Sequence, residues 1–182
     1  MDSNRKEKPV EKKQRRKGKM EIRMARQEDL QELLDIYNYE VKNGVATFDL
    51  EPKTIAQWQV WFDAHNVDHH PLYVAQIGER IAGYVSLSPY REKEAYRTTV
   101  ELSVYVAPAF RRQGVAAALM EFILDVARRD PALHTVVSVI TSGNDASCKL
   151  HDRFGFQFCG TIPEVGIKFG RLLGIDNYSL TV

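Results

Sequence analysis

Cysteine is scarce. Cys148 and Cys159 are the only two in 182 residues, so no disulfide framework can hold the fold. Reduced thiols, and with them a cytoplasmic setting, are the simplest expectation. No stretch approaches the roughly 18 consecutive apolar residues of a membrane helix, so no membrane role is expected. The N-terminus also lacks the apolar segment that marks a secretory signal. A strong overall charge is missing too, since the formal net charge is only +1.

That small sum hides a split. Residues 1–19 hold nine Lys/Arg against three Asp/Glu, a formal +6, and the remaining 163 residues carry −5. The tail offers no large apolar residue besides Met1 and Val10. It cannot offset the entropy of ordering, so residues 1–19 are expected to be a disordered basic tail. Three explanations of it stay open: an over-extended start before Met20, a natural solvated tail, or a nucleic-acid contact. Nothing aromatic interleaves its charges, which disfavours the last. Residues 20–182 suit one domain with a real core, and 44% apolar content supports a globular body.

Met20–Met24 alternates like a short strand. Leu30, Leu33, Leu34, Tyr37 and Val41 recur at helical spacing, and Gly44 should end that helix. A second helix is expected from about Pro52 or Thr54 through Phe62. Leu72–Ile77 and Ile81–Leu87 flank Gly78-Glu79-Arg80 and read as a hairpin. Thr98–Val106 is a longer strand with Val100, Leu102, Val104 and Val106 on one face and Glu101, Ser103 and Tyr105 on the other. A helix follows, with Val115, Leu119, Phe122, Ile123 and Val126 as its expected inner stripe. Then come a buried strand His134–Ile140, a helix Asn144–Phe154 stopped by Gly155, and closing strands Phe156–Ile162 and Tyr178–Val182. This mixture predicts an α/β fold, a central mixed sheet with helices on both faces.

The stretch Thr98–Met120 carries the strongest chemical signal. A strand runs into Arg111-Arg112-Gln113-Gly114-Val115-Ala116, and a helix leaves from it. Such a junction points several backbone N–H groups at one spot, backed by the helix dipole, and suits a pyrophosphate. Arg111 and Arg112 would add positive potential.

Arg111-x-x-Gly114-x-Ala116 after an apolar strand resembles the acetyl-CoA loop of the GNAT superfamily of N-acetyltransferases. Asn144, Ala146, Leu150, His151 and Gly155-Phe156 look like that superfamily's second CoA-contacting helix. A narrower resemblance, to the phosphinothricin and methionine sulfoximine acetyltransferases, rests on separated blocks in the right order. They are Ala46-Thr47-Phe48, Glu51-Pro52, Gly83-Tyr84, Ala95-Tyr96-Arg97, Val100-Glu101-x-Ser103-Val104-Tyr105-Val106 and Gly166-x-Lys168-Phe169-Gly170-Arg171. The resemblance covers residues 20–182. It implies a GNAT fold whose mostly antiparallel, twisted sheet has splayed middle strands opened by a bulge. It also implies acetyl-CoA as co-substrate, a small-molecule amine acceptor and a homodimer.

Acetyl transfer to an amine requires a base, polarisation of the thioester carbonyl and stabilisation of the departing thiolate. The resemblance makes Glu101 the acceptor-side base or water organiser; a salt bridge to Arg97 or Lys93 is the structural alternative. His151 stands where the wider superfamily usually has Tyr, and it could serve as base or acid; a surface histidine is the alternative. Tyr105 is a further candidate proton donor. Backbone N–H groups at Val104 or Val106 are the expected carbonyl clamp, and Val104, Tyr105 and Val106 belong to the expected cofactor site. So do Arg111, Arg112, Gln113, Gly114, Val115, Ala116, Asn144 and Ser147. Asn144 can equally be a helix N-cap. For the acceptor, Phe48 is a candidate apolar wall, while Arg91, Lys93 and Tyr96 are candidates for an anionic substrate group. Lys93 replaces a second arginine of some relatives, which weakens bidentate recognition.

No metal is expected. His65, His69 and His70 cluster with Asp63 and Asp68, but the pattern is weak as a ligand set. Two other functions stay open: a peptide or protein N-acetyltransferase, and a CoA-binding regulatory module working through its basic tail.

Overall fold

The computed structural model describes residues 18–182. The expectation of disorder for the basic tail falls, at residues 1–17, outside the described residues.

Seven strands form one sheet. They are β1 (Met20–Met24), β2 (Leu72–Ile77), β3 (Arg80–Pro89), β4 (Thr99–Val106), β5 (Thr135–Thr141), β6 (Gln157–Lys168) and β7 (Arg171–Thr181). Their order in the sheet is β1-β2-β3-β4-β5-β7-β6. Only β4 and β5 pair in parallel; every other pair is antiparallel. Four helices accompany them: α1 (Leu30–Asn43), α2 (Ile55–Asp63), α3 (Val115–Arg129) and α4 (Asp145–Arg153).

The helices cover both faces, as the sequence predicts. On one face, Leu33 and Leu34 of α1 and Trp58 of α2 pack with Leu72, Val74 and Tyr84. On the other, α3 packs Leu119, Ile123 and Leu124 against Val85, Val100 and Val136, and α4 joins through Leu150 and Phe154. The inner stripe of α3 differs from the expected one. Met120, Leu124 and Ala127 are fully buried, whereas Phe122 stands 36% exposed at the helix edge and meets Tyr73 edge-on. At 100° per residue the buried face is centred one residue beyond Phe122.

The closing strands run longer than predicted. β6 and β7 form an extended hairpin through Phe169 and Gly170, both left-handed at φ 51° and 70°. Register shifts at Phe158/Gly160 and Ile162/Gly166 accommodate Gly160, Pro163 and Gly166 within the hairpin.

The feature that positions the site lies between β4 and β5. Their pairing covers only Thr99–Glu101 against Thr135–Val137. Beyond Glu101 the two strands part. The register of β4 against β3 is continuous from Val100 to Val106, so the expected bulge is not what opens the sheet. The opening comes from the short parallel pairing alone.

Candidate active site

Two cavities occupy the opening. One, of about 700 Å³, is lined by Phe48, Trp58, Trp61, Tyr84 and Glu101 among others. The second, of about 510 Å³, is lined by Val104, Val106, Ala116, Asn144, Ser147 and His151 among others. Ser103, Tyr105, Val139 and Thr141 line both and form the passage between them.

The floor of the first cavity is a polar ladder. Ser88 lies opposite Glu101, Ser86 opposite Ser103, and Tyr84 opposite Tyr105. Alternation puts the apolar partners Leu87–Leu102 and Val85–Val104 on the other face, against α3. Among the described residues, no side chain hydrogen-bonds or ion-pairs with the Glu101 carboxylate. Burial therefore raises its pKa above the ordinary carboxylate value. The salt-bridge alternative to Arg97 or Lys93 is not formed.

Aromatic rings wall this cavity. Trp58 stacks on Trp61 at 4.3 Å, and Tyr37 tilts against Trp58 at 4.4 Å. Trp58 Nε1, Tyr84 OH and Ser86 Oγ are buried without a hydrogen-bond partner among the described residues. The loop at residues 44–53 closes the opposite side and is strapped from three elements. Tyr37 OH donates to Asp49 at 2.6 Å, Lys168 Nζ donates to the Thr47 carbonyl at 2.7 Å, and Thr141 Oγ1 donates to the Val45 carbonyl. Lys53 pairs with Asp49 at 2.9 Å, so those two charges cancel. Phe48 takes its predicted place in the wall, seated on Gly166, where an added Cβ would meet its ring at 2.5 Å.

The second cavity holds the predicted loop. Gly114 is the N-cap of α3 at φ 83°, a conformation glycine adopts without strain, and no side chain caps this helix. The N–H groups of its first turn are thus free for an anion, which fits a pyrophosphate. Val115 contributes only backbone, because its side chain is in the core. Ala116 lines the cavity, and Gln113 is held by its own turn through Nε2 to the Ala109 carbonyl. Arg112 is exposed at φ 59°. Arg111 also lines the cavity, and its guanidinium is held by the Glu40 carboxylate and the Val106 carbonyl. Ala107 N–H bonds to Ala82 on β3, so by strand alternation the N–H groups of Val104 and Val106 face away from β3, into the opening. Asn144 caps α4 through Ser147 N–H and also lines the cavity, so both of its expected roles are compatible.

His151 is not the surface residue of the alternative reading. It is 2% exposed, and both ring nitrogens are engaged. Nδ1 lies 2.8 Å from the Ser147 carbonyl, and Nε2 lies 2.9 Å from Ser138 Oγ. A carbonyl only accepts, so Nδ1 carries the proton and Nε2 accepts from the serine. Burial lowers the imidazole pKa, opposed by the Ser147 bond, and keeps the ring neutral at pH 7. In this state it has no proton to offer the cavity. Burial likewise pushes the Tyr105 phenol far above its ordinary value, so it stays protonated.

The structure does not bring every predicted residue together. Glu101 and His151 line different cavities. Arg91, Lys93 and Tyr96 are exposed and line neither, although their loop begins just past Ser88; Arg91 stacks on Tyr90 and Tyr96. Sequence reasoning missed Ser86 and Ser88. Their alternation with Val85 and Leu87, in phase with Glu101 and Ser103, was the available signal. It also missed Asp49, Trp61 and Ser138, whose approach depends on long-range packing.

The comparisons agree with this geometry. Residues 29–156 match the family model described as the acetyltransferase (GNAT) family. A phosphinothricin N-acetyltransferase of Streptomyces coelicolor is 41% identical over 164 residues, covering 88% of this chain and 95% of the relative. An L-methionine sulfoximine/L-methionine sulfone acetyltransferase of Pseudomonas paraeruginosa is 42% identical over 163 residues, covering 88% and 94%. A crystal structure of a GNAT superfamily phosphinothricin acetyltransferase from Sinorhizobium meliloti in complex with acetyl-CoA superposes with a TM-score of 0.85 at 28% identity, covering 90% of this chain and 88% of that one. The fold, the opened β4–β5 pair and these likenesses converge, and the chain belongs to the GNAT family of acetyltransferases.

Proposed function

We propose that this chain transfers the acetyl group of acetyl-CoA directly to the amino group of a small amino-acid-like substrate. Phosphinothricin, methionine sulfoximine and methionine sulfone are the candidate acceptors. The observation that carries the proposal is the pair of cavities that meet at Tyr105. The uncapped start of α3 faces one, and the unpaired carboxylate of Glu101 faces the other.

Acetyl-CoA would supply the thioester. The α3 N-terminus suits its pyrophosphate, and Asn144 and Ser147 suit its pantetheine arm. Glu101 takes a proton from the amine nitrogen, which then attacks the thioester carbon. The N–H groups of Val104 and Val106 receive the developing oxyanion. As the C–N bond forms, the C–S bond breaks. Tyr105, protonated and lining the passage, donates a hydrogen bond to the departing thiolate, and the proton taken up by Glu101 balances that charge on product release. His151 acts through Ser138, whose hydroxyl it orients on the donor wall; this replaces the direct acid or base role expected from sequence. Proximity in the ternary complex supplies much of the rate.

The aromatic wall favours a small acceptor over a peptide, and the buried donors Trp58 Nε1, Tyr84 OH and Ser86 Oγ favour one rich in oxygen. Arg91 and Lys93, flanking the cavity in sequence, are assigned to its anionic group on approach.

We assign a homodimer as well. Phe158, Ile162, Ile167, Phe169 and Leu172 are exposed large apolar side chains on the β6–β7 hairpin, which supports a partner surface there. Residues 20–182 form the catalytic domain. The free thiols of Cys148 and Cys159 support a cytoplasmic setting; no described helix is long and apolar enough to cross a membrane.

A thiol-release assay with acetyl-CoA tests the function. Turnover with one of the three amino-acid analogues, and none with a lysine-containing peptide, is expected. Turnover with the peptide alone would overturn the choice of acceptor.

A further inference from the structure

His65 takes no part in the chemistry described above, yet its side chain is buried, 6% exposed. It lies just past the end of α2, tilted against Trp61 with the rings 4.4 Å apart. Its Nδ1 is 2.7 Å from the Trp61 carbonyl, and its Nε2 is 2.9 Å from Ser88 Oγ. Because a carbonyl accepts only, the ring proton sits on Nδ1. In the neutral ring Nε2 is then an acceptor, and among the described residues the only donor it faces is the Ser88 hydroxyl. That hydroxyl therefore points its hydrogen backwards, at His65. What it turns to the cavity is lone pairs.

Ser88 is the direct rung partner of Glu101, and both line the acceptor cavity. Side chains on one rung lie on one face, with β-carbons about 5 Å apart. Two acceptors of hydrogen bonds, Ser88 Oγ and the Glu101 carboxylate, thus stand side by side with no donor between them. The other charged or titratable groups of this cavity are Asp49, Lys53, Tyr37, Tyr84 and Tyr105. Asp49 and Lys53 neutralise each other, and Tyr37 donates to Asp49, so none of those three serves the rung.

A substrate amine has several N–H bonds and needs more than one acceptor. We infer that Ser88 Oγ is the second acceptor for the substrate amine beside Glu101, and that His65 is a positioning residue that holds the serine in its accepting orientation. The inference rests on the acetyltransferase reading above. One N–H goes to Ser88 while another is given up to Glu101, which leaves the nitrogen lone pair aimed at the passage towards the donor cavity. A serine free to rotate would instead donate to the carboxylate and compete with the amine for it.

Steady-state kinetics test this, with whichever of phosphinothricin, methionine sulfoximine and methionine sulfone the unaltered chain turns over fastest. Ser88→Ala is expected to raise the amine KM roughly tenfold and to leave the acetyl-CoA KM unchanged. Ser88→Thr, which keeps the hydroxyl, is expected to restore most of it. His65→Phe keeps the ring but accepts nothing; its effect on the amine KM is expected to vanish in the Ser88→Ala background. Turnover by the unaltered chain with an unchanged amine KM in Ser88→Ala overturns the inference alone. A His65→Phe effect of the same size in both backgrounds overturns the role of His65. If His65→Phe does not fold, the two serine variants decide. No turnover with any of the three amines overturns the functional reading and this inference with it.

Discussion

Arg111 Nη2 donates to the carboxylate of Glu40, and Arg111 Nε lies 3.3 Å from the Val106 carbonyl. One arginine therefore ties the end of α1 to the end of β4, at the mouth of the donor cavity. The guanidinium also lies over Tyr39 at 5.3 Å. Its charge is spent on the protein, so the anion-binding power of this loop rests on the helix start and on Arg112.

A double-mutant cycle measures this tie. Arg111→Ala leaves a buried carboxylate without its partner and is expected to cost about 1–3 kcal/mol of stability. Glu40→Gln is expected to cost less, and the two effects should overlap by at least 0.5 kcal/mol, roughly the lower bound for residues in contact. Additive losses in chemical denaturation would show that the pair is not coupled.

Gly166→Ala probes the acceptor wall from outside it. The new Cβ would meet two ring carbons of Phe48 at 2.5 Å, so the ring must move. Overpacking of this kind costs roughly 1–3 kcal/mol. The expected result is a raised amine KM with the acetyl-CoA KM unchanged. A rise in the acetyl-CoA KM instead would place Phe48 on the wrong cavity.

Buried neutral histidines give stability a definite pH dependence. Burial lowers the pKa of both His65 and His151, countered in part by their carbonyl partners. The unfolded chain then takes up protons first as pH falls. Their contribution is complete above about pH 6.5 and drains as pH drops through that value towards the folded pKa. Glu101, raised by burial, works in the opposite direction as it protonates. His151→Phe, which keeps the ring and cannot titrate, is expected to flatten the fall in Tm between pH 7 and 5. An unchanged slope would mean that His151 takes up its proton over the same pH range in the folded and the unfolded chain.

Much of this site was legible because it is local. The period-two split of Val100–Val106 put Glu101, Ser103 and Tyr105 on one face, and the structure keeps them there. The Gly114 turn and the Gly155 stop, both left-handed, were likewise readable from residues a few positions apart. The residues that escaped depend on contacts far apart in sequence. The sequence places Arg111 in the cofactor site, but nothing local says that Glu40 comes to meet its guanidinium. Ser138 is one more small residue in an apolar strand until α4 lays His151 over it. The full length of β6 and β7 escapes the sequence because bulges make room for glycines and a proline that ordinarily break a strand.

Glu101→Gln tests the central claim most directly, in the thiol-release assay with acetyl-CoA and the best amino-acid acceptor across pH 6 to 9. The substitution keeps the shape of the side chain and removes the base. A fall in kcat of roughly a hundredfold or more is expected, with the acetyl-CoA KM unchanged. The acid limb of the unaltered enzyme should lie above the ordinary glutamate value, because the pKa of Glu101 is raised by burial, and it should disappear in the variant. Full turnover by Glu101→Gln across that range would contradict the assignment of Glu101 as the base of direct acetyl transfer.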